Sequence, residues 1–153
     1  MRVRTYEIGD TQEIVQLFYD TVHEVNIRDY TKAQVDAWAP KDIDIASWTK
    51  SLSSKFTFVA EESDKILGFG QLETSGHIDC FYCHKDFQRQ GFGRKILAQI
   101  DAKARNLGIK KLFTEASITA KPFFESQGFI VVKQQEVERR GQKLINFAME
   151  KLI

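Results

Sequence analysis

The segment Gln88-Arg89-Gln90-Gly91-Phe92-Gly93-Arg94 places glycines and arginines between an apolar run, His77 to Cys83, and a stretch with apolar residues at Ile96, Leu97, Ile100, Ala104 and Leu107. Those spacings of one, three and four predict a helix from Gly93 to Leu107, and the run before the loop reads as a buried strand. A strand, a glycine-bearing loop and a helix start leave several unpaired backbone N–H groups aimed at one point, backed by the positive end of the helix dipole. Without Cβ atoms, Gly91 and Gly93 let the backbone approach an anion closely. Arg89, Arg94 and Lys95 add mobile positive charge, so the expected guest is a phosphate or pyrophosphate. The spacing matches neither G-x-x-x-x-G-K-[ST] nor G-x-G-x-x-G, since Ile96 stands three residues after Gly93.

A second pattern, Cys80-Phe81-Tyr82-Cys83-His84, matches the C-x-x-C-H of haem attachment, and His77 with His84 adds metal-ligand types. Strand geometry speaks against both uses. Side chains alternate along a strand, so cysteines three apart point to opposite faces and cannot share a metal or a disulfide. Two buried apolar thiols and no metal are expected instead.

The elements that must position these residues can be read in order. Met1 to Ile8 alternates as a first strand, and Asp10 or Thr11 is placed to cap a helix carrying Ile14, Val15, Leu17, Phe18 and Val22. Thr31-Lys32-Ala33-Gln34 is a capping box for a helix ending before Pro40, and a short helix is predicted from Ile43 to Leu52. Lys55 to Glu61 and Lys65 to Glu73 form a hairpin around Glu62-Ser63-Asp64, extended by the strand from His77. The helix after the loop crosses over to Lys111–Ala116, a strand parallel to its predecessor. Thr119 to Gln127 is a short helix stopped by Gly128, and Phe129 to Glu138 with Lys143 to Lys151 closes the chain as a hairpin.

Gln88-x-x-Gly91-x-Gly93 resembles the Q/R-x-x-G-x-G/A signature of the GCN5-related N-acetyltransferases. Cys83-His84-Lys85-Asp86-Phe87 stands where many members have V-H-P-D-Y, and Ser117 to Phe129 is similar to their later segment N-x-x-A-x-x-F-Y-x-x-x-G-F. The resemblance covers nearly the whole chain and is closest to a bacterial subgroup of unassigned substrates. It implies an α/β (α+β) fold of one domain over residues 1–153, with a central twisted sheet, mixed but mostly antiparallel, flanked by helices. It also implies an N-acetyltransferase using acetyl-CoA. Residues expected at the cofactor are Phe81, Tyr82, Cys83, Gln88, Arg89, Gln90, Gly91, Phe92, Gly93, Arg94, Ser117, Ala120, Phe123 and Phe124.

In that family the strands matching His77–Cys83 and Lys111–Ala116 splay apart, and the backbone near Tyr82 and Cys83 holds the thioester. Transfer to an amine requires loss of a proton, for which Asp79, His77, His23 and Glu115 are candidates. Phe124 departs from the pattern: it occupies the place of a tyrosine that protonates the leaving thiolate, and a phenyl ring has no proton to give. Tyr82, Ser126 or water then takes that part, so Asp79, His77 and Tyr82 form the expected catalytic set. The acceptor side is expected between Phe18 and Trp48, where His23, Tyr30 and Trp38 stand among Asp20, Glu24, Asp29, Asp36, Asp42 and Asp44. With Glu115, this aromatic, acid-rich wall suits a cationic amine on a small molecule or peptide.

At 153 residues, 42% hydrophobic and 28% charged, the chain has the profile of one globular domain. A formal charge of +1 gives no reason to expect nucleic acid as a partner, and no apolar run has the length of a membrane span or a signal core. A cytoplasmic protein is expected, with the C-terminal hairpin edge able to pair in a homodimer. Two other readings stay open: a non-catalytic acyl-CoA-binding module, and a redox or metal protein using Cys80 and Cys83.

Overall fold

The computed structural model describes residues 1–153 and contains one seven-stranded sheet in the order β1-β2-β3-β4-β5-β7-β6. The strands are β1 (Arg2–Thr5), β2 (Phe56–Glu62), β3 (Lys65–Leu72), β4 (His77–Cys83), β5 (Lys111–Ser117), β6 (Ile130–Arg139) and β7 (Gln142–Leu152). All neighbours run antiparallel except β4 and β5, which the crossover through α4 (Phe92–Asn106) makes parallel. The predicted mixed, mostly antiparallel sheet is present. Helices α1 (Thr11–Glu24), α2 (Lys32–Trp38), α3 (Ile45–Ser54) and α5 (Lys121–Ser126) complete the chain, with single 3-10 turns at Ile8–Asp10 and Asn26–Arg28.

Two apolar clusters divide along the faces of the sheet. On one side Ile96, Leu97, Ile100 and Ala104 of α4 meet Leu67, Ile78, Leu112 and Met149; on the other, Ile14, Leu17, Phe18 and Val22 of α1 meet Val59, Ile66 and Phe69. The spacing within each helix set is that of one buried stripe. Thr31 caps α2 as its sequence predicts, accepting from the Gln34 amide at 3.1 Å while Gln34 Oε1 accepts from the Thr31 amide at 2.8 Å.

Several boundaries differ for local reasons. The first strand stops at Thr5 because Asp10 accepts from Arg4 and from the Glu7 amide, closing a tight turn; Asp10 therefore does not cap α1. The last short helix begins at Lys121 instead of Thr119, because Ser117 Oγ accepts from the Ala120 amide at 3.0 Å and folds that stretch into a turn.

The feature that shapes the site lies between β4 and its neighbours. Leu72 pairs with Ile78 and Gly70 with Phe81, so β4 carries one extra residue there, a β-bulge. Ile78 and Phe81 consequently share the α4 face, whereas Cys80 and Tyr82 join the α1 cluster. On its other edge β4 pairs with β5 only at His77↔Phe113 and Ile78↔Thr114, after which the two strands part.

Candidate active site

The gap between β4 and β5 opens into a cleft of about 750 Å³ that runs from the parting of the strands to the start of α4. Its walls include the bulged strand through Asp79, Phe81, Tyr82 and Cys83, the whole Gln88–Arg94 loop, and Glu115 to Phe124 in part. His84 N–H bonds back to Leu67 of β3. Because successive amides alternate in direction, the Cys83 N–H faces the opened edge.

The loop end is built to receive an anion. Gly91 has φ +86° and stands at the N-cap of α4, with no N-cap side chain to accept from the first-turn amides. A left-handed residue with no Cβ is what lets the chain turn into the helix here without covering those amides. Arg89 is left-handed as well, at φ +61°. Gln88 fastens the loop, donating from Nε2 to the carbonyls of Cys83 (2.6 Å) and His84 (3.2 Å); Thr21 Oγ1 donates to the same Cys83 carbonyl at 3.0 Å. Thr21 carried no readable signal, since a buried threonine on a helix stripe looks like core.

At the other end stand carboxylates. Asp79 is paired with Lys55, and Glu115 Oε1 lies 2.7 Å from His77 Nε2, whose Nδ1 is 2.5 Å from Glu73. Burial disfavours charge on His77, but Glu73 and Glu115 outweigh it and hold the imidazole protonated above the ordinary histidine range. These ion pairs stabilise the fork fully below the pKa of an unfolded histidine and fade as pH rises through the raised folded value. Glu73, His77 and Asp79 bring ligand atoms within 4.8 Å of one another, but His77 has both nitrogens engaged and Asp79 faces a lysine.

Between the two ends lies Tyr82. Its ring packs against Phe18 (5.1 Å between centroids, edge to face) and Phe69 (5.8 Å, stacked), with Trp38 at 6.4 Å. Burial pushes the phenol well above its ordinary value. Phe124, 2% exposed, sits in a knot of rings with Phe81, Phe123 and Phe129 at 5.2 to 5.4 Å and offers the cleft only carbon.

The acceptor wall differs from expectation. Trp38 and Glu115 line the cleft; His23 and Tyr30 do not. Tyr30 is spent on the frame, its hydroxyl donating to the Ile145 carbonyl at 2.6 Å and accepting from the Ile118 amide at 2.8 Å. Tyr30→Phe leaves both groups buried and unpaired and is expected to lower stability by about 1–3 kcal/mol, read by thermal denaturation. His23 stacks on Tyr19 and bonds through Nε2 to the Ala39 carbonyl at 2.7 Å.

The early acids are also committed locally: Asp20 to Gln16, Glu24 to Lys85, Asp29 to Thr119, Asp36 to Lys32, and Asp44 to the start of α3. The structure adds Asn26, buried and donating to Ser117 Oγ at 3.3 Å. Cys80 and Cys83 point to opposite clusters, and burial pushes their thiols up to about 12 and about 11.

This fold and cleft have relatives. Residues 26–151 match the acetyltransferase (GNAT) domain. The uncharacterized N-acetyltransferase YafP of Escherichia coli is 33% identical over 150 residues, covering 97% of this chain and 94% of that protein. A GCN5-related N-acetyltransferase from Rhodopseudomonas palustris superposes with a TM-score of 0.95 at 27% identity, covering 99% and 95% of the two chains. YncA of Salmonella typhimurium, solved with its cofactor acetyl-CoA, shares the fold at a TM-score of 0.76 and 18% identity, over 99% and 93%. By the domain match and the full-length relative, this chain belongs to the GNAT acetyltransferases.

Proposed function

We propose that the chain transfers an acetyl group from acetyl-CoA to a primary amine of a small molecule or peptide, by direct attack within a ternary complex. The observation that carries this reading is the polarity of one continuous cleft. Arg89, Arg94 and the uncapped start of α4 lie at one end, Asp79 and Glu115 at the other, and Tyr82 between them. The first end suits a pyrophosphate, which Gln88 to Arg94 would hold through backbone amides and guanidinium groups. Ser117, Ala120 and Phe123 line the wall beside the arm that joins it to the acyl group. Acetyl-CoA brings the acetyl as a thioester, already activated towards nitrogen.

The chain's own groups supply the rest. Asp79 and Glu115 collect the amine as its ammonium, and the outward-facing Cys83 N–H is a donor for charge developing on the acetyl oxygen. The ammonium first loses one proton to solvent. The neutral amine nitrogen then bonds to the acetyl carbon and the carbon–sulfur bond breaks. Tyr82 gives its hydroxyl proton to the departing sulfur and is reloaded with the second proton shed by the nitrogen.

His77, with Nδ1 against Glu73 and Nε2 against Glu115, has no free ring nitrogen to act as the base. A pH profile of kcat/KM tests this. The reading expects log kcat/KM to rise with unit slope towards the ammonium pKa of the acceptor, about 10 for an alkyl amine. A plateau after an inflection above about 6.5, where Glu73 and Glu115 raise the imidazole, would return the role to His77.

Phe124 favours one other reading, a non-catalytic acyl-CoA-binding module, because it removes a hydroxyl from the cleft wall. Acetylation of any amine in a broad panel excludes it; bound acetyl-CoA with no turnover would support it.

A further inference from the structure

The charged groups lining the cleft are Asp79, Arg89, Arg94 and Glu115, and both arginines belong to the loop end. Cations do stand near the far end, but they do not line the cleft. Lys55 is joined to Asp79 Oδ2, and His77 to Glu115 Oε1 and Glu73 Oε1. Each carboxylate therefore keeps a second oxygen, Asp79 Oδ1 and Glu115 Oε2, with lone pairs for another donor. Counting Glu73 with them, three carboxylates face two cations, and the end is negative. Its neighbouring lining is apolar or neutral: the aromatic pair Trp38 and Tyr82, 6.4 Å between ring centroids, with Val25 and Asn26.

On the reading that this cleft acetylates amines, we propose that its acceptor is a primary amine with no carboxylate beside the amino group, and that α-amino acids are rejected. An alkylammonium meets two free carboxylate oxygens with its three N–H donors, and the aromatic flank receives its carbon chain. An α-amino acid brings its own carboxylate within the same few ångströms. No cation of the cleft is free there to take it. A like charge at that distance is repelled, more strongly at a protein surface than in water.

Matched pairs test the assignment: phenethylamine against phenylalanine, and isoamylamine against leucine, titrated calorimetrically into the chain saturated with coenzyme A. The carboxylate-free member of each pair is expected to bind at least about 10-fold more tightly. Glu115→Gln, which keeps the shape and removes the charge, should shrink that ratio. Equal or tighter binding of the amino acid, or no binding of either member at millimolar concentration, overturns the proposal. Turnover with acetyl-CoA is measured beside it. A binding preference without acetylation upholds the acceptor class and removes the catalytic reading alone.

Discussion

Tyr82→Phe is expected to lower kcat by about 10² to 10⁴, the range for losing a positioned general acid, while leaving acetyl-CoA affinity nearly unchanged. The cleft has aromatic rings at Phe81, Tyr82, Phe123 and Phe124, and of these Tyr82 alone bears a hydroxyl. Its hydroxyl stands in the cleft wall, where its hydrogen can be given to a leaving group.

The kinetic readout distinguishes chemistry from damage. An acyl donor with a more acidic thiol needs less protonation to leave, so the Tyr82→Phe defect should shrink with such a donor. A defect of the same size for every donor would assign Tyr82 to the frame and not to the leaving group.

Gly76→Ala is expected to be the most destabilising single methyl in the chain. Gly76 sits at φ +96° in the turn before β4, and a Cβ there would lie 2.2 Å from the Lys111 carbonyl oxygen of β5. The obstacle is backbone that is itself held in place, because the Gly76 carbonyl accepts from the Phe113 amide at 3.1 Å where β4 and β5 still pair. A left-handed alanine is disfavoured by about 1–2 kcal/mol, and overpacking adds about 1–3 kcal/mol. The sum corresponds to a fall in Tm of roughly 4 to 20 °C at this chain length. The same methyl pries at the fork from which the cleft opens. Any Gly76→Ala protein that does fold should therefore also bind acetyl-CoA more weakly.

What the sequence disclosed was whatever is local in the chain. The loop Gln88–Arg94 could be read because its glycines, arginines and helix start are contiguous, and Thr31 with Gln34 because a capping box is complete within four residues. The alternation of Cys80 and Cys83 was also readable, since the extra residue lies between Ile78 and Phe81 and the strand alternates regularly from Cys80 onward. The bulge itself was not: nothing in Ile78-Asp79-Cys80-Phe81 distinguishes a strand that gains a residue from one that does not. It follows from pairing with β3, which only the fold reveals. Asp79 looked like an acid stranded in an apolar strand, whereas Lys55, twenty-four positions earlier, meets it across the sheet.

The same distinction explains the acceptor side. Tyr30 and His23 have the composition of a pocket, but their partners Ile145, Ile118 and Ala39 turn them into struts. Acids at Asp20, Glu24, Asp29 and Asp36 are each neutralised or bonded by a neighbour. His77 had the right address but has both ring nitrogens taken, because Glu73 and Glu115 arrive from either side of it only in three dimensions. Trp38 looked like an acceptor contact and lines the cleft, its ring 6.4 Å from that of Tyr82.

The central claim is that the Gln88–Arg94 loop and the start of α4 bind acetyl-CoA. The most direct measurement is the thermal shift of the purified chain with acetyl-CoA, beside an Arg89→Glu, Gly91→Glu double variant. At 100 times its Kd a ligand stabilises by about 2.7 kcal/mol, a rise in Tm of roughly 5 to 10 °C for a domain of this size. The account predicts that shift for the parent chain, and its loss in a variant that still melts cooperatively. A folded parent that does not respond to saturating acetyl-CoA, or a variant that responds as fully as the parent, contradicts it.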